Sequence, residues 1–159
     1  MAPRHAALDI TIAAVGRLRR GPELDLIDDY RKRLSWAVTI REIEEKRPLP
    51  TPERRAREGE RLFDVLPEGA LLIALDERGR QFSSEEFAGQ LRKWQESGHR
   101  TLAFAIGGAD GLDQAVTDRA TLLLALGRMT WPHMMARCML VEQLYRAQQI
   151  QAGHPYHKG

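Results

Sequence analysis

Cysteine is nearly absent: Cys138 is the one thiol in 159 residues. An intrachain disulfide is therefore excluded, and a lone thiol cannot build a cysteine-rich zinc site. Its place between Arg137 and Met139, inside an apolar helical pattern, reads as a small buried hydrophobe rather than a nucleophile. Long apolar runs are also missing, and none approaches the length needed to span a bilayer. Behind the basic start Met1-Ala2-Pro3-Arg4-His5, the stretch Leu8 to Val15 is interrupted by Asp9. That suits a strand better than the unbroken apolar region of a signal peptide, so a cytoplasmic protein with no membrane partner is expected. There is no Gly-x-Gly-x-x-Gly after this first strand, where only Gly16 and Gly21 stand, and no Walker A sequence. Nor does one sign of charge dominate: 24 Lys and Arg against 22 Asp and Glu leave +2. His154 and His157 are three apart, but a third ligand would have to come from Asp110 or His133 through the fold, and no metal is expected.

What the chain does have is the composition of an ordinary globular protein, 43% hydrophobic and 29% charged. With no repeat and no linker, one domain spanning 1–159 is expected. Leu8 to Val15 has the β-branched content of a strand. Pro22 opens a helical pattern in which Leu24, Ile27, Tyr30 and Leu34 mark the buried stripe, with Asp25, Asp28, Arg31 and Arg33 between them. Val38 to Ile43 alternates as a second strand. Thr51 is the expected cap of a highly charged helix with Pro52 at its first helical position. Leu71 to Leu75 is a short, wholly apolar strand, after which Asp76-Glu77-Arg78-Gly79 turns the chain. Ser83-Ser84-Glu85-Glu86 resembles a capping box, and Leu102 to Ile106 is the next apolar strand. A short helix from about Leu112, a strand over Leu122 to Leu126 and a last helix from about Pro132 to Ile150 complete the pattern. Strands alternating with helices predict an α/β fold with a mostly parallel sheet covered by helices on both faces.

Ligands of open α/β sheets gather outside the carboxyl ends of the strands. Three loops leave such ends: Asp76 to Gln81, Gly107 to Gly111 and Gly127 to Pro132. Gly107, Gly108 and Gly111 put three glycines within five positions, where backbone amides can approach a ligand closely; a simple tight turn is the alternative. Gly127-Arg128-Met129-Thr130-Trp131-Pro132-His133 combines a flexible residue, a cation, a thioether and an aromatic plane, suitable walls for a flat heterocycle. The same residues also suit a helix start capped by Thr130, with Met129 and Trp131 packed on the core. The last helix carries Met134, Met135, Cys138, Met139, Val141, Leu144, Tyr145 and Ile150, more than one apolar stripe. Burial against a second subunit and core packing both explain that width. Arg17, Arg19 and Arg20, and then Arg128, Arg137, Arg146 and Lys158 facing only Glu142, are candidate basic surfaces for a phosphate backbone, with scattered solvated charge as the alternative.

Several segments, in this order, carry a resemblance across nearly the whole chain from Leu8. They are Ala14-Val15-Gly16, Leu75-Asp76 with Gly79, Ile106-Gly107-Gly108 with Gly111, and Thr130-Trp131-Pro132-His133. Glu142-Gln143-Leu144-Tyr145-Arg146-Ala147 and His154-Pro155-Tyr156-His157-Lys158 follow. Together they resemble the bacterial ribosomal large subunit pseudouridine N3-methyltransferases, which belong to the SPOUT class of knotted methyltransferases. The resemblance implies a C-terminal trefoil knot, which general rules on chain connection argue against. It implies S-adenosylmethionine bent in the knot and held by Leu75, Gly108, Gly127, Arg128, Met129, Thr130, Trp131 and Pro132. It implies a homodimer whose active sites are completed by the partner subunit. The implied substrate is a pseudouridine in a stem-loop of 23S rRNA, modified in the assembled ribosome. Tyr156, His157 and Arg146 fall on the family's catalytic positions, with His133 and Arg137 as secondary candidates. Residues 1–7 precede the family's usual start and read as a flexible extension. Trp131 is bulkier than the leucine or phenylalanine expected there.

Methylation of N3 requires loss of its proton, and within this resemblance His157 has the titration range of a base. Arg146 is placed to stabilise developing charge on the flanking carbonyls or to hold a phosphate, and Tyr156 to stack on the base. The alternatives are another knotted methyltransferase acting on tRNA or a different rRNA position, and a non-catalytic ribosome-binding or assembly factor. The His154 to Lys158 tail disfavours the first and the pocket loops the second.

Overall fold

The computed structural model describes residues 6–158, with side chains described through Tyr156. Five strands alternate with five helices: β1 (Asp9–Val15), α1 (Pro22–Arg33), β2 (Ala37–Ile43), α2 (Thr51–Val65), β3 (Leu71–Gln81), α3 (Ser84–Glu96), β4 (Thr101–Ile106), α4 (Gln114–Arg119), β5 (Leu122–Ala125) and α5 (His133–Gln151). A single 3-10 turn, Pro155–Lys158, closes the described chain. The strand order is β2-β1-β4-β3-β5, and every pairing is parallel. The mostly parallel α/β expectation is met.

Parallel strands covered on both sides must be apolar on both sides. In β1, Ile10, Ile12 and Ala14 enter the larger core, while Ala13 and Val15 enter a smaller one on the opposite face. The larger core is closed by α1, α3 and α5, with α5 packed against both of the others. The smaller is closed by α2 and α4, which pack on each other. Each fully buried leucine or phenylalanine, such as Phe104 or Leu144, contributes about 1.5–3 kcal/mol. The capping box at α3 is present: Ser83 Oγ accepts from the Glu86 amide at 3.0 Å, and Glu86 accepts from the Ser83 amide at 2.9 Å. Ser83→Ala should cost about 1 kcal/mol, read as a lowered midpoint in urea at unchanged slope.

Three local expectations are corrected. Thr51 is already helical, and Pro50 occupies the cap position without a side-chain bond. Proline there fixes an extended entry, so the threonine hydroxyl is not needed. Likewise α5 is entered through Pro132, not capped by Thr130. The chain does not leave the sheet at Asp76 either, because β3 continues to Gln81. Leu124 of β5 pairs with Leu75 and again with Arg80, so Asp76–Gly79 bulges out between two pairings with the same neighbour. That second pairing is a tertiary contact, which a polar local sequence does not reveal. Of residues 1–7, the first five lie outside the described residues. The Ala6 carbonyl accepts a hydrogen bond from Gln95 Nε2 at 2.7 Å.

Candidate active site

The three carboxyl-end loops meet. The bulge after Leu75, the glycine loop after β4 and the segment after β5 surround one cleft of about 770 Å³, within the range of small-molecule sites. Leu75, Gly108, Gly127, Met129, Thr130, Trp131 and Pro132 all line it; of the expected cofactor positions only Arg128 does not. Ile106, Leu124 and Leu126 add apolar wall, and Asp76, Glu77, Arg78, Asp110 and His133 add charge and polarity.

Glycine at 107 is a steric necessity. A Cβ there would lie 2.6 Å from the carbonyl carbon of Gly111 and 2.9 Å from the amide nitrogen of Leu112. The loop folds back on itself through a Gly108–Gly111 bridge, in which the Gly111 amide donates to the Gly108 carbonyl at 3.0 Å. Opposite, Gly79 lets β3 pass β5: its Cβ would fall 2.6 Å from the Leu123 carbonyl. Beside Gly108, Glu58 is 8% exposed, and burial, then the neighbouring Asp110, push its carboxyl above the usual range.

The rim is cross-linked by polar contacts. Thr130 Oγ1 donates to Glu77 Oε2 at 2.8 Å, joining the last loop to the bulge. Trp131 Nε1 donates to the Leu126 carbonyl at 3.1 Å, closing the last loop on itself. Arg78 grips Asp76 through Nε and Nη2, which holds that carboxyl below its ordinary value. Met129 is 74% exposed and Trp131 39%, so these two do not pack on the core; they stand at the mouth of the cleft.

Beneath the cleft, Arg137 is 1% exposed. Its Nη1 donates to Glu42 Oε2 at 2.6 Å, and its Nη2 to the carbonyls of Gly16 at 2.8 Å and Val15 at 3.3 Å. The Leu18 amide also donates to Glu42 at 2.6 Å. Burial raises the Glu42 carboxyl, but these hydrogen bonds outweigh it and leave it below the ordinary range. His133 lies one turn before Arg137 and beside Gly16. Burial first, and then the Arg137 charge, push its imidazole down, which favours the neutral ring.

Of the expected catalytic side chains, Arg146 and Tyr156 do not line this cleft. Arg146 is paired with Glu142 at 2.7 Å, and Tyr156 packs against Tyr145, on the far part of α5. The side chain of His157 lies outside the described residues. The expected C-terminal basic surface is smaller than its sequence implies, since Arg137 is buried on Glu42 and Arg146 is engaged by Glu142. Cys138 is buried, and burial raises its thiol. Among the described residues no group of three or more His, Cys, Asp or Glu is placed to hold a metal ion, and no helix is long and apolar enough to cross a membrane.

A parallel sheet whose carboxyl-end loops enclose one glycine-lined cleft agrees with the sequence comparison: the chain belongs to the SPOUT methyltransferase family, whose model, described as predicted SPOUT methyltransferase, matches residues 8–157. Its curated relatives include the ribosomal RNA large subunit methyltransferase H of Paramagnetospirillum magneticum, 55% identical over 149 residues, covering 94% of this chain and 98% of the relative. The protein of the same name from Rhodospirillum centenum is 52% identical over 147 residues, covering 92% and 97%. That from Rhodospirillum rubrum is 50% identical over 151 residues, covering 95% and 99%. Among solved structures, the AdoMet complex of the SpoU methyltransferase AviRb from Streptomyces viridochromogenes aligns with TM-score 0.45 at 13% identity, covering 94% of this chain and 60% of its own.

Proposed function

We propose that this chain transfers the methyl group of S-adenosylmethionine to N3 of a pseudouridine in a 23S rRNA stem-loop, acting as a homodimer on the assembled ribosome in the cytoplasm. The observation that carries this is the convergence of Leu75, Gly108, Gly127 and Met129 to Pro132 on one cleft. Support for the rRNA target comes from the relatives' name and their near full-length match.

The cleft fits the cofactor. Main-chain groups of the Gly107–Gly111 loop and the apolar faces of Leu75, Leu126 and Trp131 suit an adenine ring. Bound there, the cofactor supplies a methyl group on an electrophilic sulfonium. The chain's own part is to hold the base in line, exclude water and accept the N3 proton. We assign proton acceptance to His157, charge stabilisation to Arg146, and holding of the tail beside the base to Tyr156. All three belong to the far part of α5 and the tail, so a second subunit is needed to bring them to a cleft. An apolar groove of about 640 Å³ between α1 and α5 supports such a dimer, with Leu26 45% and Met135 43% exposed on its lining. The C-terminal knot belongs to the same proposal, as does one domain over 1–159. The knot is supported by the double pairing of Leu124 and by the close passage of Gly79 and Leu123.

A chain of this size offers little surface with which to select one nucleotide, so the assembled ribosome supplies much of the recognition. Transfer of labelled methyl groups should be much faster onto ribosomes lacking the modification than onto the isolated hairpin. Equal rates would remove the ribosome from the proposal, and transfer to neither would remove the reaction.

A further inference from the structure

Outside the cleft, a cluster of aromatic and charged side chains lies where α1 meets the end of α5. The Arg33 guanidinium sits 4.5 Å from the Tyr145 ring centre, 5.2 Å from that of Tyr30 and 5.5 Å from that of Tyr156. Arg146 lies 5.1 Å over the Tyr156 ring and donates twice to Glu142 Oε1, at 3.0 and 2.7 Å. The Tyr156 hydroxyl donates to the same Glu142 oxygen at 3.3 Å and meets the Tyr30 hydroxyl at 3.2 Å. Tyr145 meets Tyr156 edge to face, with centroids 4.8 Å apart. Asp29, at 3.6 Å, is the acidic partner of Arg33 on its own helix.

A chain end is ordinarily loose unless something ties it down. Here the His154 amide donates to the Gln149 carbonyl at 2.9 Å, and Tyr156, half-buried in this cluster, is the last described side chain that ties the tail down. With two guanidinium groups over its ring and its hydroxyl between Tyr30 and Glu142, Tyr156 is built as an anchor. Cation–π contacts suit that purpose, since they hold a ring without demanding one exact angle.

We propose that Tyr30 and Arg33 of α1 are positioning residues for methyl transfer: together with Glu142 and Tyr145 they clamp Tyr156 and so fix the placement of the adjoining His157. This rests on the proposed role of the tail at the reacting base, and it adds two residues of α1 to the machinery. Neither lies in a segment that carries the family resemblance. Tyr30 lines the groove between α1 and α5, but neither residue lines the cofactor cleft.

The test is steady-state methylation of unmodified ribosomes by full-length Arg33→Ala, Arg33→Lys and Tyr30→Phe proteins, beside a chain ending at His154. The affinity for S-adenosylmethionine and the thermal midpoint are measured for each. Arg33→Ala should lower kcat by about tenfold or more, because small misplacements of a reacting group are costly. Its cofactor affinity should stay within about twofold of the parent, since only the tail is disturbed. Arg33→Lys should recover part of the rate, as an ammonium still sits over the rings. Tyr30→Phe should lose less, because it keeps the ring and gives up only the hydroxyl contact. If the truncated chain is inactive while Arg33→Ala keeps its full kcat, the clamp is refuted and the tail's role survives. If the truncated chain is fully active, the tail's role fails and the clamp with it. Parallel losses of cofactor affinity and thermal midpoint in Arg33→Ala would also refute the clamp, as they mark a merely structural contact.

Discussion

Gly107→Ala should weaken S-adenosylmethionine binding by about a hundredfold or more while leaving a folded protein. The added Cβ would sit 2.6 Å from the Gly111 carbonyl carbon, 2.8 Å from its oxygen and 2.9 Å from the Leu112 nitrogen. All three are backbone atoms, so no flexible side-chain end can move aside. Overpacking of this kind costs about 1–3 kcal/mol, and the loop relieves it by opening the Gly108–Gly111 bridge. The amides that face the cleft are then displaced, and a shift of about 1 Å is enough for a hundredfold loss in a positioned site. Two other glycines, one beside Gly107 and one remote from the cleft, provide the scale. At Gly108 the Cβ meets Val15 Cγ1 at 3.1 Å, a side-chain methyl, and the effect should be smaller. At Gly89 in α3 nothing lies within 4 Å, and alanine should leave binding unchanged. Calorimetric titration of the three variants checks the order, and equal affinities across them would show that the glycine loop does not hold the cofactor.

Arg137→Met should destabilise the fold by about 1–3 kcal/mol, because it strips the donor from two backbone carbonyls and from the Glu42 carboxylate, which keeps its own access to solvent. Glu42 loses its 2.6 Å partner, and the carbonyls of Val15 and Gly16 lose their donor. At about 2–4 °C per kcal/mol for a chain of this size, the midpoint should fall by roughly 2–12 °C. The pH dependence has a definite sign. The Glu42 carboxyl is depressed in the folded state, so its contribution is present above the unfolded value, near about 4.3, and lost as pH falls through the lower folded value. The gap between parent and variant should therefore be widest near neutrality and shrink on acidification below about pH 4. Thermal unfolding across that range checks it, and a gap independent of pH would place the loss in packing rather than in the Arg137–Glu42 pair. The same substitution removes the charge that helps keep His133 neutral.

Much of this fold could be read from the sequence because both sheet faces are buried. Doubly covered strands such as Leu102 to Ile106 must be apolar throughout, and the Ser83 to Glu86 capping box is a purely local signal. The cleft was legible in part, because glycines at strand ends and the residues after Gly127 are local features. What escaped depended on long-range partners. Leu124 rescues a polar stretch of β3 into the sheet. Glu42, 95 positions away, turns Arg137 from a surface cation into a buried one. Arg33 read as a solvated residue between buried ones, since nothing near it in sequence announces Tyr145, 112 positions on, or Tyr156. For Met129 and Trp131 the local pattern suited both a pocket wall and a core-packed helix start, and only their exposure at the mouth of the cleft decides for the first.

The most direct test is mass-spectrometric mapping of methyl groups on 23S rRNA from cells that lack this gene, with and without the gene restored. A single N3-methylated pseudouridine should disappear in the deletion and return with the parent chain, but not with Gly107→Ala. An unchanged methylation pattern in the deletion would contradict the assignment of this protein as a methyltransferase of the large-subunit rRNA.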